Sequence, residues 1–441
     1  MKPYNPILVG RVVRSKRIED GLVIKELADE NISSGTISKI ENGDAGVRRE
    51  KVEYLLNKLG LDFNSISDYL RLKEKELEDI KLKLLTIENI IDSNSPDRAL
   101  KKLKNLGITK NHIYFPLVEY LKGKAYVRKA KVKKSFQEKS EKHFLECIRV
   151  SDQVEDNHLN LKTAAYTELA ISAFKRNEIK EALTLVRQAI ETFDHSGDRL
   201  RYIHYAKFNQ ILFLERTNDF SDLKRAVDDL YRDLDQINNS SIKIQLHEYK
   251  AKIYLQTGRA EEAVEYAKKG LELIGDTGSG LASLSYYLWI TLGDALYDLK
   301  EYGQTESCYL TTLDLGLDHR HDLLIVSFLK LGQLYMFQDR LDESKQMIDR
   351  ALQLIKHIDN QESAIEVLST LGSFFIKNNE TQEAIEPLEK ALQLSKDHSI
   401  NGKQIEILQK LAHCYDVCGQ KEKMMNVLLE KHYLEMEQEV S

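Results

Sequence analysis

Proline is scarce in this chain, with five residues in 441. Little therefore interrupts long helices, and the abundance of Leu, Lys, Glu, Ala and Gln predicts an almost wholly helical fold. Cysteine is equally sparse. Cys147, Cys308, Cys414 and Cys418 are too few and too scattered for a disulfide framework. Cys414 and Cys418 sit one helical turn apart beside His413, but no second ligand pair accompanies them, so they are read as packing residues rather than metal ligands. No run approaches the roughly 18 uncharged apolar residues of a membrane span. The opening Met-Lys-Pro-Tyr-Asn-Pro lacks the apolar core of a secretory signal, so a cytoplasmic location with no membrane partner is expected. Also missing are a nucleophile with its base, a metal cluster and a dinucleotide fingerprint, so neither catalysis nor a cofactor is expected.

What remains is 42% hydrophobic and 30% charged, the balance of a soluble folded protein. The length calls for two to three domains or a repeat array. The net charge of -6 divides unevenly: residues 1–72 carry +1 and the rest -7. A weakly basic N-terminal region must rely on local clusters for any phosphate contact, such as Arg11, Arg14, Lys16 and Arg17, or Arg48, Arg49 and Lys51. The run from Lys122 to Lys142 holds nine Lys/Arg against two Glu and could reach DNA as an auxiliary patch, but a solvated helix face or loop is the preferred reading. Asp276-Thr277-Gly278-Ser279 copies the tetrapeptide of aspartic proteases, but no strand pattern flanks it, so it reads as a turn between helices. His319-Arg320-His321 reads as a surface turn between repeats.

From about residue 160 the sequence repeats. Pairs of tight-packing residues follow a leucine at Leu169-Ala170, Leu292-Gly293, Leu331-Gly332, Leu371-Gly372 and Leu411-Ala412, the later intervals being 39, 40 and 40 residues. Ala251 belongs to the same series. A second series follows 12 residues behind, at Ala182, Ala263, Thr305, Ser344, Ala384 and Met424. Each unit contains two helical apolar patterns separated by a short polar turn, with the small residues where neighbouring helices approach. This pattern resembles the tetratricopeptide repeat: Trp289, Leu292 and Gly293, then Leu331, Gly332 and Tyr335, match its first helix, and Ala384, Leu388 and Ala391, or Ala182, Val186 and Ala189, its second. The segment from Tyr202 to Ile237 keeps the spacing but carries Ile211 and Leu223 where small residues belong. A more degenerate unit is expected at 113–155, and Leu77 to Leu106 could hold another helix pair.

The N-terminal 64 residues carry a different pattern. In Asn-Ile-Ser-Ser-Gly-Thr-Ile-Ser-Lys-Ile-Glu-Asn-Gly, residues 31–43, Ile32, Ile37 and Ile40 fall on one helix face and Ser34, Gly35, Thr36 and Lys39 on the other. Small and polar side chains on such a face can enter a DNA major groove. The region resembles phage-repressor and Xre-type helix-turn-helix domains, with a first helix over Arg11 to Arg17, a scaffold helix over Val23 to Asp29, a recognition helix over Ser34 to Glu41 and a fourth helix over Arg49 to Leu59. The resemblance implies an internal pair between Arg17 and Glu41, and phosphate contacts near Asn42 and Gly43. Arg48 and Arg49 complete the expected DNA surface. Where the family starts its scaffold helix with Ser or Thr followed by Gln, this chain has Val23 and Ile24, so a cap and a phosphate contact are missing.

The expected architecture is all-α: a helix-turn-helix domain at 1–64, a helical connector at 65–110, and a right-handed superhelix of seven to eight tetratricopeptide-like helix pairs at 111–441. That combination resembles the Rap/NprR/PlcR/PrgX group of peptide-sensing regulators. It implies a homodimeric quorum-sensing transcription regulator that binds double-stranded DNA and a short signalling peptide. The alternative is an adaptor or response-regulator phosphatase whose repeats bind a protein partner. Repeat numbering places Asn209, Gln245, Tyr249, Lys252, Asp294, Lys330, Gln333 and Ser373 on the concave side as peptide-binding candidates. Thr167, Glu248, Thr291, Thr370, Gln409 and His413 follow from the same rule.

Overall fold

The computed structural model describes residues 5–110, 112–131, 133–151, 159–217, 219–277, 281–398 and 400–440. Within them the chain is helical, with one isolated bridge between Asp29 and Ile32 and no strand. It divides into two compact units, residues 1–200 and 201–441.

The first unit begins with four helices: α1 (Pro6–Glu19), α2 (Ile24–Leu27), α3 (Ser34–Glu41) and α4 (Arg49–Lys58). They enclose one core of Val9, Val12, Val13, Leu27, Ile37, Ile40, Leu55 and Leu56 with their neighbours. The first helix starts earlier than expected because Asn5 caps it, its side chain accepting from the Ile7 and Leu8 amides. The scaffold helix is shorter than expected. Asp29 Oδ1 accepts from the amides of Asn31 and Ile32, and this turn ends α2 at Leu27. Glu26 Oε2 accepts from the Val23 amide at 2.8 Å and supplies one half of the capping that Val23 itself cannot.

Next come α5 (Ser65–Asp92) and α6 (Pro96–Asn105), then two antiparallel pairs, α7 (Phe115–Ala130) with α8 (Gln137–Ser151) and α9 (Leu161–Lys175) with α10 (Ile179–Glu191). The second unit continues in pairs: α11 (Arg201–Leu214) with α12 (Phe220–Tyr231), α13 (Ser240–Gln256) with α14 (Ala260–Thr277), and α15 (Ala282–Asp298) with α16 (Tyr302–Leu313). It ends with α17 (His321–Phe337) and α18 (Leu341–Leu354), α19 (Gln361–Lys377) and α20 (Thr381–Asp397), and α21 (Gln404–Val417) and α22 (Lys421–Val440). Gly278 and Ser279 of the protease-like tetrapeptide lie outside the described residues. Cys414 packs in the core of the last two pairs, where burial pushes its thiol up to about 11.

Two features recur in these pairs. The first is close approach. A Cβ built on Gly372 would lie 2.5 Å from Leu388 Cγ, and Gly293 meets the Tyr309 ring in the same way. Gly332 meets Ile348 at the same 16-residue offset. The second is a turn. After α9, α13, α15, α17, α19 and α21 the chain passes through positive φ at Asn177, Gly258, Lys300, Asp339, Asn379 and Gly419. At each, two backbone bonds close the helix end, as when Lys300 N donates to Tyr297 O at 2.9 Å and Glu301 N to Leu296 O at 2.9 Å. Asn94 makes the same turn between α5 and α6.

Lys300 holds φ +64° where two other pairs use glycine at +72°. A lysine in the left-handed region is strained by its Cβ, whereas glycine is not. Lys300→Gly is expected to stabilise the protein by about 1 kcal/mol, read as a rise in thermal midpoint; an unchanged or lower midpoint would show that the Lys300 side chain contributes more than its backbone costs.

Candidate functional site

Helix α3 is placed by a close steric contact and an ionic one. Gly10 on α1 lies so close to the Ile40 and Glu41 carbonyls that no side chain fits there. Beside it Arg17 Nε donates to Glu41 Oε1 at 2.6 Å and Nη2 to Oε2 at 3.0 Å, while Nη1 donates to Leu22 O at 2.9 Å. The fork is largely buried, with side chains 13% and 6% exposed. Such a bidentate pair fixes both the position and the roll of α3. Ile37 and Ile40 point inward, leaving Ser34, Gly35 and Lys39 exposed.

Ser33 caps α3 by accepting from the Thr36 amide, and its hydroxyl lies 2.9 Å from Thr36 Oγ1. Thr36 is thus half-buried and engaged within the helix start. Asn42 is exposed at the C-cap, and Gly43 turns the chain at φ +72° against Ile7. A Cβ on Gly43 would lie 2.8 Å from Ile7 Cα, so glycine is required there by space as well as by backbone. Arg48 is exposed immediately before α4. Arg49 instead is half-buried, its guanidinium 4.5 Å from the centre of the Phe63 ring. Lys51 Nζ donates to Asn31 O at 2.5 Å, and Lys58 Nζ donates to Leu27 O at 3.0 Å. Lys58 therefore closes the end of α2, and Lys51 holds the turn that leads to α3.

The groove candidates lie on α11, α13, α15, α17 and α19, the first helices of successive pairs. Gln245, Tyr249 and Lys252 come together in a cavity of about 270 Å³, completed by Leu212, Glu215, Ile244, Glu248, Leu284 and Tyr287. Tyr249 is buried, and its hydroxyl donates to Glu215 Oε2 at 2.6 Å. Burial beside the Glu215 carboxylate raises its pKa. Lys252 Nζ lies 2.6 Å from Glu248 Oε1, outside hydrogen-bonding geometry, and 3.6 Å from Glu215 Oε1. Burial raises the Glu248 pKa despite that ammonium. The Tyr249 and Tyr287 rings lie 5.5 and 6.0 Å from the ammonium. Glu215, Tyr249 and Lys252 also line an adjoining cavity of about 250 Å³.

The remaining candidates are distributed elsewhere. Asp294 and Lys330 pair with each other at 2.7 Å, and Asp294 also accepts from Tyr309 Oη at 2.6 Å. Asn209 and Gln245 donate back to Tyr205 O and Ser241 O of their own helices. Gln333 is exposed. Ser373 lines a separate cavity of about 400 Å³ with Gln409 and His413. Glu215 and Tyr287 are absent from the candidate positions inferred from the sequence. Tyr287 sits six residues before Gly293, where the same repeat rule points, so the repeat spacing itself is the signal that could have found it. Glu215 lies just beyond the end of its helix, where repeat numbering stops.

Residues 323–397 and 249–277 match tetratricopeptide repeat families. No curated protein matches the sequence. Among solved structures, the apo form of the quorum sensor NprR from B. thuringiensis aligns with a TM-score of 0.62 at 17% identity, over 81% of this chain and 99% of that one. A Rap protein complexed with competence and sporulation factor aligns with a TM-score of 0.52 at 13% identity, over 82% of this chain and 98% of that one. A signal transduction ATPase with a tetratricopeptide repeat sensor, from Pyrococcus horikoshii, aligns with a TM-score of 0.53 at 16% identity, over 100% of this chain and 64% of that one. At these identities the likeness is one of fold: tetratricopeptide-like helix pairs in the arrangement of the Rap and NprR proteins.

Next to Glu248, His247 is buried against Tyr231, whose hydroxyl lies 3.3 Å from its Nδ1. Burial, with Lys269 and Lys243 adding to it, lowers its pKa from 6.5 to about 4. The folded chain therefore holds His247 neutral while the unfolded chain protonates it. Its stabilising effect is complete above pH 6.5 and is lost as pH falls from there to about 4. His247→Gln is expected to flatten the decline of the thermal midpoint across that interval relative to wild type; parallel curves would assign the decline to other groups.

Proposed function

We propose that this protein is a peptide-responsive transcription regulator that acts by binding rather than by catalysis. The observation that carries this reading is the cavity lined by Gln245, Tyr249 and Lys252, three positions chosen from repeat spacing alone. A cavity on the first-helix faces, with a few polar groups among Leu212, Ile244 and Leu284, suits an extended peptide that presents both backbone and apolar side chains. The likeness to a quorum sensor and to a Rap protein complexed with competence and sporulation factor supports the same reading.

The N-terminal four helices are the DNA-binding part. They form the helix-turn-helix unit that the sequence resembles, with α3 as the reading helix and Ser34, Gly35 and Lys39 as its base-facing residues. Arg48 and the backbone at Asn42 and Gly43 meet phosphate, while Arg17 and Glu41 hold the helix in place. Half-sites one helical turn apart require two readers, so the regulator works as a homodimer in the cytoplasm. Peptide in the groove alters the repeats and with them the spacing of the two readers.

Two measurements test this. In mobility shifts on DNA upstream of its own gene, Lys39→Ala is expected to reduce discrimination between sequences, by about 1–3 kcal/mol at the contacted position. Arg48→Ala is expected to weaken all sequences alike and to lessen the salt dependence. The reverse pattern would place the reading helix elsewhere. In calorimetric titrations with short synthetic peptides copied from exported-peptide genes beside its own, Lys252→Ala is expected to weaken binding about tenfold. Identical DNA affinity with and without every such peptide would refute the proposed control.

A further inference from the structure

In the first unit a cavity of about 580 Å³ opens between the pair α7 and α8 and the helix that follows, α9. Val127, Ala130, Phe144 and Ile171 give it an apolar wall. Lys131, Lys134, Lys175 and Arg176 also line it, with Glu168 as the single acid in that lining. Arg176 is already engaged: its Nη1 donates to Glu141 Oε1 at 2.5 Å and its Nε to Glu178 Oε2 at 2.6 Å. The three lysines are exposed and make no ion pair among the described residues. Burial raises the Glu168 pKa against the pull of Lys124, Lys175 and Arg128, which weakens the one opposing charge.

These lysines differ from the rest of their basic run. Lys122, Lys124, Arg128 and Lys129 each pair with a carboxylate. Lys131 and Lys134, which reach the cavity, do not. Nor does the repeat require them. The displacement that carries Ala170 to Ala251 carries Glu168, Ile171 and Lys175 to Tyr249, Lys252 and Gln256. Those three line the cavity of about 250 Å³ in the second unit, where Glu215 and Asp219 outnumber Lys252. The same gap between successive pairs is thus built acidic in one unit and basic in the other.

DNA is not the anion that fits. Helix α5 meets α1 at its start, where Tyr69 and Lys73 reach Glu19, and meets α7 at its end, where Asp92 reaches Lys124 and Arg128. With a rise of about 1.5 Å per residue those two places lie roughly 30 Å apart along the helix. The cavity is at the far one, where α7 ends. The kind of cation narrows the class further. An ammonium suits phosphate as a point charge, whereas a guanidinium fork suits a carboxylate, and here the guanidinium is taken by Glu141 and Glu178. The volume suits a molecule of nucleotide size. We infer that the cavity binds a small phosphorylated molecule, its phosphates held by Lys131, Lys134 and Lys175 and its organic body lying against Val127 and Ile171. The site shares no residue with the central cavity and does not depend on the peptide reading.

Calorimetric titration of the full chain with ATP, ADP and pyrophosphate, without divalent cations, tests it. Wild type is expected to bind ATP in the micromolar range and pyrophosphate about tenfold more weakly, for want of the organic body. Lys134→Glu with Lys175→Glu is expected to weaken ATP about a hundredfold, with helical circular dichroism unchanged because both side chains are exposed. Lys133→Glu with Lys142→Glu makes the same change of charge at exposed places outside the cavity and is expected to leave ATP affinity within about twofold. An excess of double-stranded DNA is expected not to displace ATP. Equal losses in the two double variants, displacement by DNA, or no binding of any of the three phosphates would overturn the site. Citrate or a hexaglutamate peptide binding as tightly as ATP would overturn the assignment to phosphate. ATP binding in a protein that fails the peptide titrations would leave this inference standing and remove only the function proposed for the groove.

Discussion

The fold depends on how closely the two helices of each pair approach. At Gly293, Gly332 and Gly372 the first helix offers no side chain, and Tyr309, Ile348 and Leu388 of the second helix occupy the space. That contact sets the separation and rotation of the pair, and the turn at positive φ sets its reversal. Once both are fixed, the remaining faces of the first helix have little choice. Of the residues just after the small position, Lys252 lines the central cavity, Asp294 pairs with Lys330 and Tyr309, and Gln333 is exposed. Where Ile211 replaces the small residue, the core remains filled by Phe208, Val227 and Leu230, so volume elsewhere offsets the lost close approach.

A second constraint joins the N-terminal helices to the first repeats within one unit. Glu88 on α5 is 4% exposed and accepts from Arg199 Nη2 at 3.0 Å, with Lys124 Nζ at 3.2 Å. Burial disfavours its charge, but the Arg199 guanidinium and the Lys124 ammonium outweigh this and hold the carboxyl below its usual range. At the other end of α5, Tyr69 Oη donates to Glu19 Oε2 at 2.9 Å and Lys73 lies 3.1 Å from Glu19. One helix is thus tied by charge both to α1 and to α7. A buried ion cluster adds little net stability, but removing one member strands the others, so it specifies geometry more than it stabilises.

Much of this was legible in the sequence because a repeat states its packing rule several times. The small-residue series located the pairs from α9 onward, and the positions chosen from it include Gln245, Tyr249 and Lys252 of the central cavity. The pair α7 and α8 falls in the degenerate unit expected at 113–155, but its close approach of Gly123 to Phe144 does not keep the 16-residue offset, because the turn at Lys134–Phe136 lengthens the connection. In the N-terminal helices the motif located α3 to the residue. It misplaced the end of α2, because Asp29 closes a turn through its own side chain, and it counted Arg49 with the exposed surface although the ring of Phe63 holds it. The Glu88 cluster left no trace, since its members lie up to 111 positions apart and no local pattern requires them.

The groove's own electrostatics narrow what can occupy it. Lys252 is neutralised by Glu248 and Glu215, and Lys330 by Asp294. Charges that already pair with one another present a weaker field to a distant ligand than free charges do, so charge alone draws a ligand in weakly. A ligand binds well only if it replaces these contacts with its own, because any member it displaces without a substitute is left as a desolvated charge. The penalty is greatest at Glu248, which is buried and whose Oε1 accepts no hydrogen bond. Discrimination in such a groove comes from what a wrong ligand fails to replace. For the peptide proposed above, paired side chains carried on successive first helices would supply discrimination without a deep pocket.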